Sequence, residues 1–393
     1  MKYCYPLQAS QTYTYTHKIR DYRYLSTQDK KVLINNVKEF AKYCFWWLNL
    51  PHPTRDQLFI IKELAKATFS REPIMIEAQR GLAKSLGTQI VTVWLLLRDK
   101  EEKVAVISAT GKRSESWTIF ILNLIRLLPL TQHLYPNTSQ RSSGTKFDIN
   151  GCIPSDSPSV SAYGVTSQKT GMRASIIIYD DIEIIENSDT AGKRDKLVTG
   201  AMDAMNLGIA GKYRAVCLCT PQSSQTVYNI LEERGFKKTV IPAEFPESLD
   251  NYQGKVAKHL LWLLKRNPNL VGLNTDKRMD MAHLMAKKLE VGKSQYKLQY
   301  MLDTTLSDED RFPLKLRDLI VMDLDYEQAP VYIEYSSDRK DALYDVKHSG
   351  FLGDGFYKPR FISSEKRFAY DGIAMFIDPS GSGSDETAYA VSA

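Results

Sequence analysis

From about residue 55 to residue 245, short runs of consecutive apolar residues alternate with longer stretches whose apolar positions recur at helical spacing. The runs are IMIEA (74–78), KVAVISA (103–109), ASIIIYD (174–180), RAVCLCT (214–220) and KKTVIPA (237–243). Their length suits strands covered on both faces, and intervening segments such as SWTIFILNLIRLL (116–128) suit amphipathic helices. This alternation predicts an α/β domain on a largely parallel sheet. Ahead of it, residues 28–50 read as one helix with an aromatic end, and residues 3–24 as a tyrosine-rich, partly basic lead. The polar stretch 326–372, marked by Pro and Gly, reads as a connector with room for short strands. After it, IAMFIDPSGSGSDETAYAVSA reads as a strand, a glycine-rich turn and a second strand.

Composition narrows the class. A chain of 393 residues, 43% hydrophobic and 25% charged, has room for a large core and two or three domains. Its best apolar run, IVTVWLLL (90–97), falls short of the ~20 residues that cross a bilayer and is followed by Arg98 and Asp99. The start, MKYCYPLQAS, lacks the apolar block of a secretory signal, so the expectation is a cytoplasmic protein. Cys4, Cys44, Cys152, Cys217 and Cys219 form neither a CxxC zinc pattern nor a dense disulfide framework, which points to reduced, structural thiols. The net charge of +6 is compatible with a polyanionic partner but is spread along the chain. No internal repeat or low-complexity tract interrupts it.

Three short segments carry chemistry. In IMIEAQRGLAKS (74–85) a buried strand runs into a turn that ends in Lys84 and Ser85, as in a phosphate-binding loop, where backbone N–H groups surround phosphates, the lysine neutralises them and the hydroxyl meets magnesium. Ala78 and Ala83 stand where such loops carry glycine, so the stretch read alone equally suits a strand followed by an ordinary helix start. Downstream, ASIIIYDDIE places Asp180 and Asp181 directly after a strand, where one carboxylate serves the cation and the next acid polarises the attacking water. Like charges so close repel unless a cation joins them; the alternative is a solvated acidic turn. The third segment, CTPQ (219–222), ends a strand on Thr220, where helicase-like ATPases place a hydroxyl that senses the terminal phosphate; alone it is a turn signal.

Taken in order, PTRDQ (53–57), EAQRGLAKS (77–85), ISATGKRS (107–114), TGMRASIIIYDDIEI (170–184), CTPQ (219–222), LQYML (298–302), FPLKLRDLIV (312–321) and FIDPSGSGSDETAYAV (376–391) resemble the large terminase subunit of short-tailed phages. These are ATPase-nuclease motors that package DNA into procapsids. The resemblance covers nearly the whole chain. It implies a RecA-like P-loop ATPase domain of the additional-strand class over 51–325, an N-terminal arm and helix over 1–50, a connector over 326–371, and over 372–393 the first hairpin of an RNase H-like nuclease domain. It implies ATP and Mg2+ as cofactors, with a divalent metal pair for the nuclease. The implied partners are double-stranded viral DNA, a portal protein and a small terminase subunit, met as a ring on the procapsid from the host cytoplasm and absent from the mature virion.

Residue by residue, the resemblance assigns Gln57 to the adenine edge, although Thr54 and Gln57 also suit a helix start. Arg80, Gly81, Leu82 and Ala83 form the loop, Lys84 and Ser85 hold phosphate and magnesium, and Asp180 takes the magnesium side of the acidic strand end. Asp181 is assigned the water, with Glu183 as rival, because the pair here reads Asp-Asp where Asp-Glu is common. Terminase loops often hold an arginine, as at Arg80. That residue and Arg173 compete as the finger that neutralises the transferring phosphoryl group, Arg173 acting in a neighbouring subunit. Thr220 couples hydrolysis to domain movement, and Lys112 and Arg113 are candidates for the DNA backbone. Asp378 matches the first nuclease carboxylate, with Asp385 and Glu386 opening the second strand. Two-metal cleavage draws carboxylates from several separate strands. The expectation is therefore that these 393 residues hydrolyse ATP without cutting DNA. The competing readings are a helicase or translocase of another phage pathway and a non-hydrolysing DNA-binding scaffold.

Overall fold

In the computed structural model the described residues are 19, 21–70, 72–169, 171–222, 226–304, 315–346, 355–363, 367–378 and 388–392. The chain opens with α1 (Thr27–Asn35), α2 (Val37–Trp47) and α3 (Arg55–Ala67). Residues 28–50 are thus two helices and not the single one expected. Asn36 is the cause: its backbone is extended and its side chain caps α2, accepting from Lys38 N at 3.1 Å and Glu39 N at 3.4 Å. A short polar side chain that bonds the backbone ahead of it competes with helix continuation.

There follow β1 (Ile74–Ala78), α4 (Lys84–Arg98), β2 (Val104–Ser108), α5 (Gly111–Leu127), β3 (Lys146–Phe147), β4 (Val160–Gly164), β5 (Ile176–Asp180), α6 (Ile185–Ser188), α7 (Ala191–Met205), β6 (Arg214–Cys219), α8 (Val227–Glu233) and β7 (Lys237–Ile241). The seven strands form one sheet in the order β3-β4-β2-β5-β6-β1-β7. β2 pairs in parallel with β4 and with β5, β5 pairs in parallel with β6, and β3 is antiparallel on β4. With β6 inserted between the strand that precedes the phosphate loop and the strand that ends in Asp180, this is the strand order of an additional-strand P-loop ATPase. All five apolar runs read from the sequence are strands of this sheet. β4 went unread because its residues, Val-Ser-Ala-Tyr-Gly, include three small ones, yet every one is buried. Gly164 has a steric reason: a Cβ there would lie 2.8 Å from Gly111 N at the start of α5.

The chain divides into two compact units. The first comprises residues up to 75, 81–182 and 202–218. In it Trp94 Nε1 of α4 donates to the Leu33 carbonyl at 3.2 Å, the Tyr43 hydroxyl accepts from Leu130 N at 3.2 Å, and Trp117 Nε1 of α5 donates to Thr88 Oγ1 at 3.2 Å. Its N-terminal helices are therefore part of the packed core.

The second unit comprises residues 76–80, 183–201 and those from 219 on. It continues through α9 (Lys258–Arg266), α10 (Met281–Val291) and α11 (Lys293–Tyr296), which the sequence reading did not single out. Ala243, Leu284, Tyr296 and Tyr300 form a buried cluster in which the two tyrosine rings stack at 5.1 Å. Beyond it come β8 (Gln328–Pro330), β9 (Ile333–Glu334), β10 (Phe361–Ile362), β11 (Arg367–Ala369), β12 (Ala374–Asp378) and β13 (Ala388–Ser392). They pair antiparallel as β9 with β10, β8 with β11, and β12 with β13. Among the described residues no helix is long and apolar enough to cross a membrane.

Candidate nucleotide site

The loop between β1 and α4 turns through two left-handed residues, one a glycine and one an alanine. Gly81 has φ +84° and Ala83 φ +59°, ψ +43°, so Ala83 enters the left-handed region despite its Cβ and stands as N-cap of α4. Residues in that region turn successive N–H groups toward one point, and a helix N-terminus there favours an anion. For an alanine the conformation costs roughly 1 to 2 kcal/mol.

Behind the loop, Gln57 holds it in place. Its Oε1 accepts from Thr54 N at 3.0 Å in a capping box at the start of α3, and its Nε2 donates to the Leu82 carbonyl at 3.3 Å. Both ends of the amide expected to read adenine therefore meet protein groups, and the helix-start reading of Thr54 and Gln57 is present in the structure.

At the front, Lys84 is the first residue of α4 and is only 6% exposed. Ser85 Oγ donates to Asp180 Oδ1 at 3.0 Å, joining residues that lie 95 apart in the chain. Asp180 ends β5 and is buried. Burial, then the neighbouring Asp181, push its pKa up to about 7, against the Ser85 hydrogen bond and the positive charges of Lys84 and Arg113. Asp181 follows with φ +46°, its N–H donating to the Leu218 carbonyl at 3.0 Å. Its Oδ1 is buried and has no hydrogen-bond partner.

These residues fit a magnesium ion. A hydroxyl and a carboxylate lie together, a second carboxylate oxygen is unsatisfied, and a cation would relieve the repulsion that raises Asp180. Among the described residues no group of three or more His, Cys, Asp or Glu side chains is placed to hold a metal. Mg2+ is typically held by one or two carboxylates, with the rest of its shell from phosphates and water.

The second unit holds other expected residues. Glu183, 1% exposed, accepts from Gln222 N at 3.0 Å, Thr226 Oγ1 at 2.7 Å and Val227 N at 2.8 Å. Thr220 Oγ1 donates to the Ala78 carbonyl at 3.3 Å. The exposed Arg80 donates from Nη2 to Gln222 Oε1 at 3.4 Å, while its N–H donates to the Gln299 carbonyl at 3.4 Å. Gln222 and Gln299 lie in segments the sequence reading quoted, CTPQ and LQYML, but nothing in those motifs told what their side chains hold.

In the first unit Arg173 is exposed, its guanidinium donating to the Asn206 carbonyl at 2.6 Å and its N–H to Ser157 Oγ at 2.8 Å. It lines a cavity of ≈ 670 Å³ together with Lys169 and Asp203. Lys112 and Arg113 are exposed in the first turn of α5, where the Thr110 side chain accepts from Arg113 N at 3.3 Å. Asp378 closes β12, but its side chain, Asp385 and Glu386 lie outside the described residues.

No family model matches the chain. Among solved structures it is similar to the large terminase ATPase domain of Thermus phage P74-26 (12% identity, 66% of this chain and 96% of that one, TM-score 0.37). It is also similar to the N-terminal domain of the phi29 DNA packaging ATPase (16% identity, 44% and 84%, TM-score 0.32). The chain is 38% identical over 383 residues to the large terminase subunit of Enterobacteria phage T3, an alignment that takes in 93% of this chain and 64% of that protein's length. Over those 383 residues this chain is similar to that large terminase subunit, and it spans just under two thirds of its length.

Proposed function

We propose that this chain is the ATPase of a DNA-packaging motor, hydrolysing ATP to move double-stranded viral DNA into a procapsid. The observation that carries the reading is the Ser85–Asp180 contact at 3.0 Å at the N-terminus of α4, with an unsatisfied Asp181 oxygen beside it. In this reading the N–H groups of Gly81, Leu82 and Ala83 cradle the phosphates, Lys84 neutralises them, and Ser85 with Asp180 holds the magnesium, which spreads the charge of the phosphoryl group. Asp181 orients the water, because its free Oδ1 can accept a proton where each Glu183 oxygen already has donors. Gln57 fixes the loop at Leu82. Arg80 is the finger acting within the subunit and Arg173 the one offered to a neighbour. Thr220 reports the state of the nucleotide, and Lys112 and Arg113 meet DNA phosphates.

The homology to the phage T3 subunit supports portal, small-subunit and ring partners on the procapsid, a role in the host cytoplasm, and Asp378 as a first nuclease carboxylate that would meet a metal pair. The test is ATP turnover by the purified chain with and without duplex DNA. Wild type is expected to turn over faster with DNA, and Lys84→Ala to lose hydrolysis at an unchanged melting temperature. Turnover of Lys84→Ala near wild type refutes the site. Mixing Arg173→Ala with Lys84→Ala subunits separates the two arginines: rescue in mixed assemblies assigns the finger to Arg173, and none assigns it to Arg80.

A further inference from the structure

We propose that Gln222 and Gln299 position Arg80, and that Glu183 serves as the anchor fixing Gln222 to the start of α8 and not as a base. The inference rests on the ATPase reading above and deepens it.

Glu183 is 1% exposed and both of its oxygens already accept hydrogen bonds from the protein. Oε1 takes Gln222 N at 3.0 Å; Oε2 takes Thr226 Oγ1 at 2.7 Å and Val227 N at 2.8 Å. Its own N–H donates to the Tyr228 hydroxyl at 3.1 Å, so the residue is bound four times to positions 222–228. A general base needs a lone pair within reach of the proton it takes. Burial pushes the pKa of Glu183 up, while the hydrogen bonds from Thr226, Val227 and Gln222 pull it back.

What Glu183 anchors is a grip on Arg80. Gln222 Oε1 accepts from Arg80 Nη2 at 3.4 Å and from Gln299 Nε2 at 3.2 Å, and Gln222 Nε2 donates to the Thr220 carbonyl at 3.1 Å. Gln299, on the π-turn Lys297–Met301, takes the Arg80 N–H on its carbonyl. Arg80 is thus held at its main chain by one glutamine and at its guanidinium by the other. The guanidinium contact, at 3.4 Å, is long and its acceptor is a neutral amide, so it is weaker than a close pair with an anion would be. An anion that takes the guanidinium would free the Gln222 amide, which is bonded to the Thr220 carbonyl and, through its backbone N–H, to Glu183. Gln222 and Gln299 are positioning residues; neither touches the reacting atoms.

The test is a double-mutant cycle on the purified chain. Arg80→Ala is expected to lower kcat about 10³-fold, as for loss of a finger. Gln222→Ala should lower it roughly tenfold alone but not at all in the Arg80→Ala background, as coupled residues behave. Gln222→Glu, which holds Arg80 with a charge, should raise KM for ATP, again only while Arg80 is present. Additive losses, or a Gln222→Glu effect that survives Arg80→Ala, overturn the assignment.

For Glu183, the Gln variant should keep kcat within about tenfold while Asp181→Asn loses more than about a hundredfold; the opposite ranking makes Glu183 the base. A readout independent of turnover is hydrogen exchange. Glu183→Ala should speed exchange of the Gln222 and Val227 amides in the nucleotide-free chain, and unchanged protection there sinks the anchor even if the protein hydrolyses nothing. Failure of the ATPase reading itself shows separately, as a wild-type chain without turnover.

Discussion

Asp181 and Glu183 are two residues apart in the sequence and have opposite surroundings. Asp181 has a buried oxygen with no donor, next to an Asp180 whose proton affinity is raised. Glu183 has three donors on its two oxygens. One acid is poised for something that comes and goes, and the other is committed to the protein. Position after a strand does not separate these roles. The supply of donors does, because an ionised carboxylate buried without partners is costly and waits for a cation or a proton, whereas a saturated one is structure.

The largest effect that sharpens this contrast is expected from Asp180→Asn. It should abolish magnesium-dependent turnover and yet stabilise the nucleotide-free chain at pH 8. The sign follows from the raised pKa: protonated Asp180 supports the fold fully below the unfolded value of 3.8, and that support is lost as pH rises through about 7. Thermal unfolding from pH 4 to pH 8 should show a falling wild-type stability that the asparagine variant lacks. A variant that is less stable than wild type at pH 8 breaks the contrast. On the same basis, Mg·ATP affinity should fall by about tenfold per pH unit below 7, because cation and proton compete for Asp180; titration calorimetry in matched buffers reads it.

A middle-sized effect is expected on the saturated side. Thr226→Val removes a donor from Glu183 Oε2 and the side-chain cap of α8, which accepts from Tyr228 N at 3.3 Å. The loss should be about 2 kcal/mol of stability in denaturant unfolding. No change in midpoint would mean that Glu183 is less committed than its bonds suggest. The smallest effect belongs to Ala83→Gly, which relieves the left-handed strain. It should add about 0.5 to 1 kcal/mol of stability while leaving turnover within twofold, measured by thermal unfolding and phosphate release.

How far the sequence could be read depends on what each feature needs. Strands such as Val104–Ser108 and Ile176–Asp180 are buried on both faces, so each announces itself as a run of apolar residues. Val160–Gly164 is buried too, but its small residues resemble a loop. The break at Asn36 turns on one side-chain hydrogen bond that a run of helix-forming neighbours hides. In the candidate site, chain order was enough to single out the loop after β1 and the acidic pair after β5. The roles of Glu183, Gln222 and Gln299 stayed illegible because their partners are remote: Thr226 is 43 residues from Glu183, and Gln299 is 77 from Gln222. Motif spacing says where an acid sits and says nothing about who donates to it.

The sheet order also governs when the phosphate loop can exist at all. β1 has β6 and β7 as its sheet neighbours, and the nearer in sequence begins at Arg214. On a ribosome adding about 5 to 20 residues per second, the strand that carries the loop waits roughly ten to thirty seconds for its first partner. During that interval a Met-Ile-Glu-Ala segment meant for the interior has neither of its sheet neighbours. Nascent chains halted before Arg214 should therefore be protease-sensitive around residues 74–85, and chains carried past Ile241 resistant, which makes the nucleotide site a late product of folding in a molecule whose residues for it are made early.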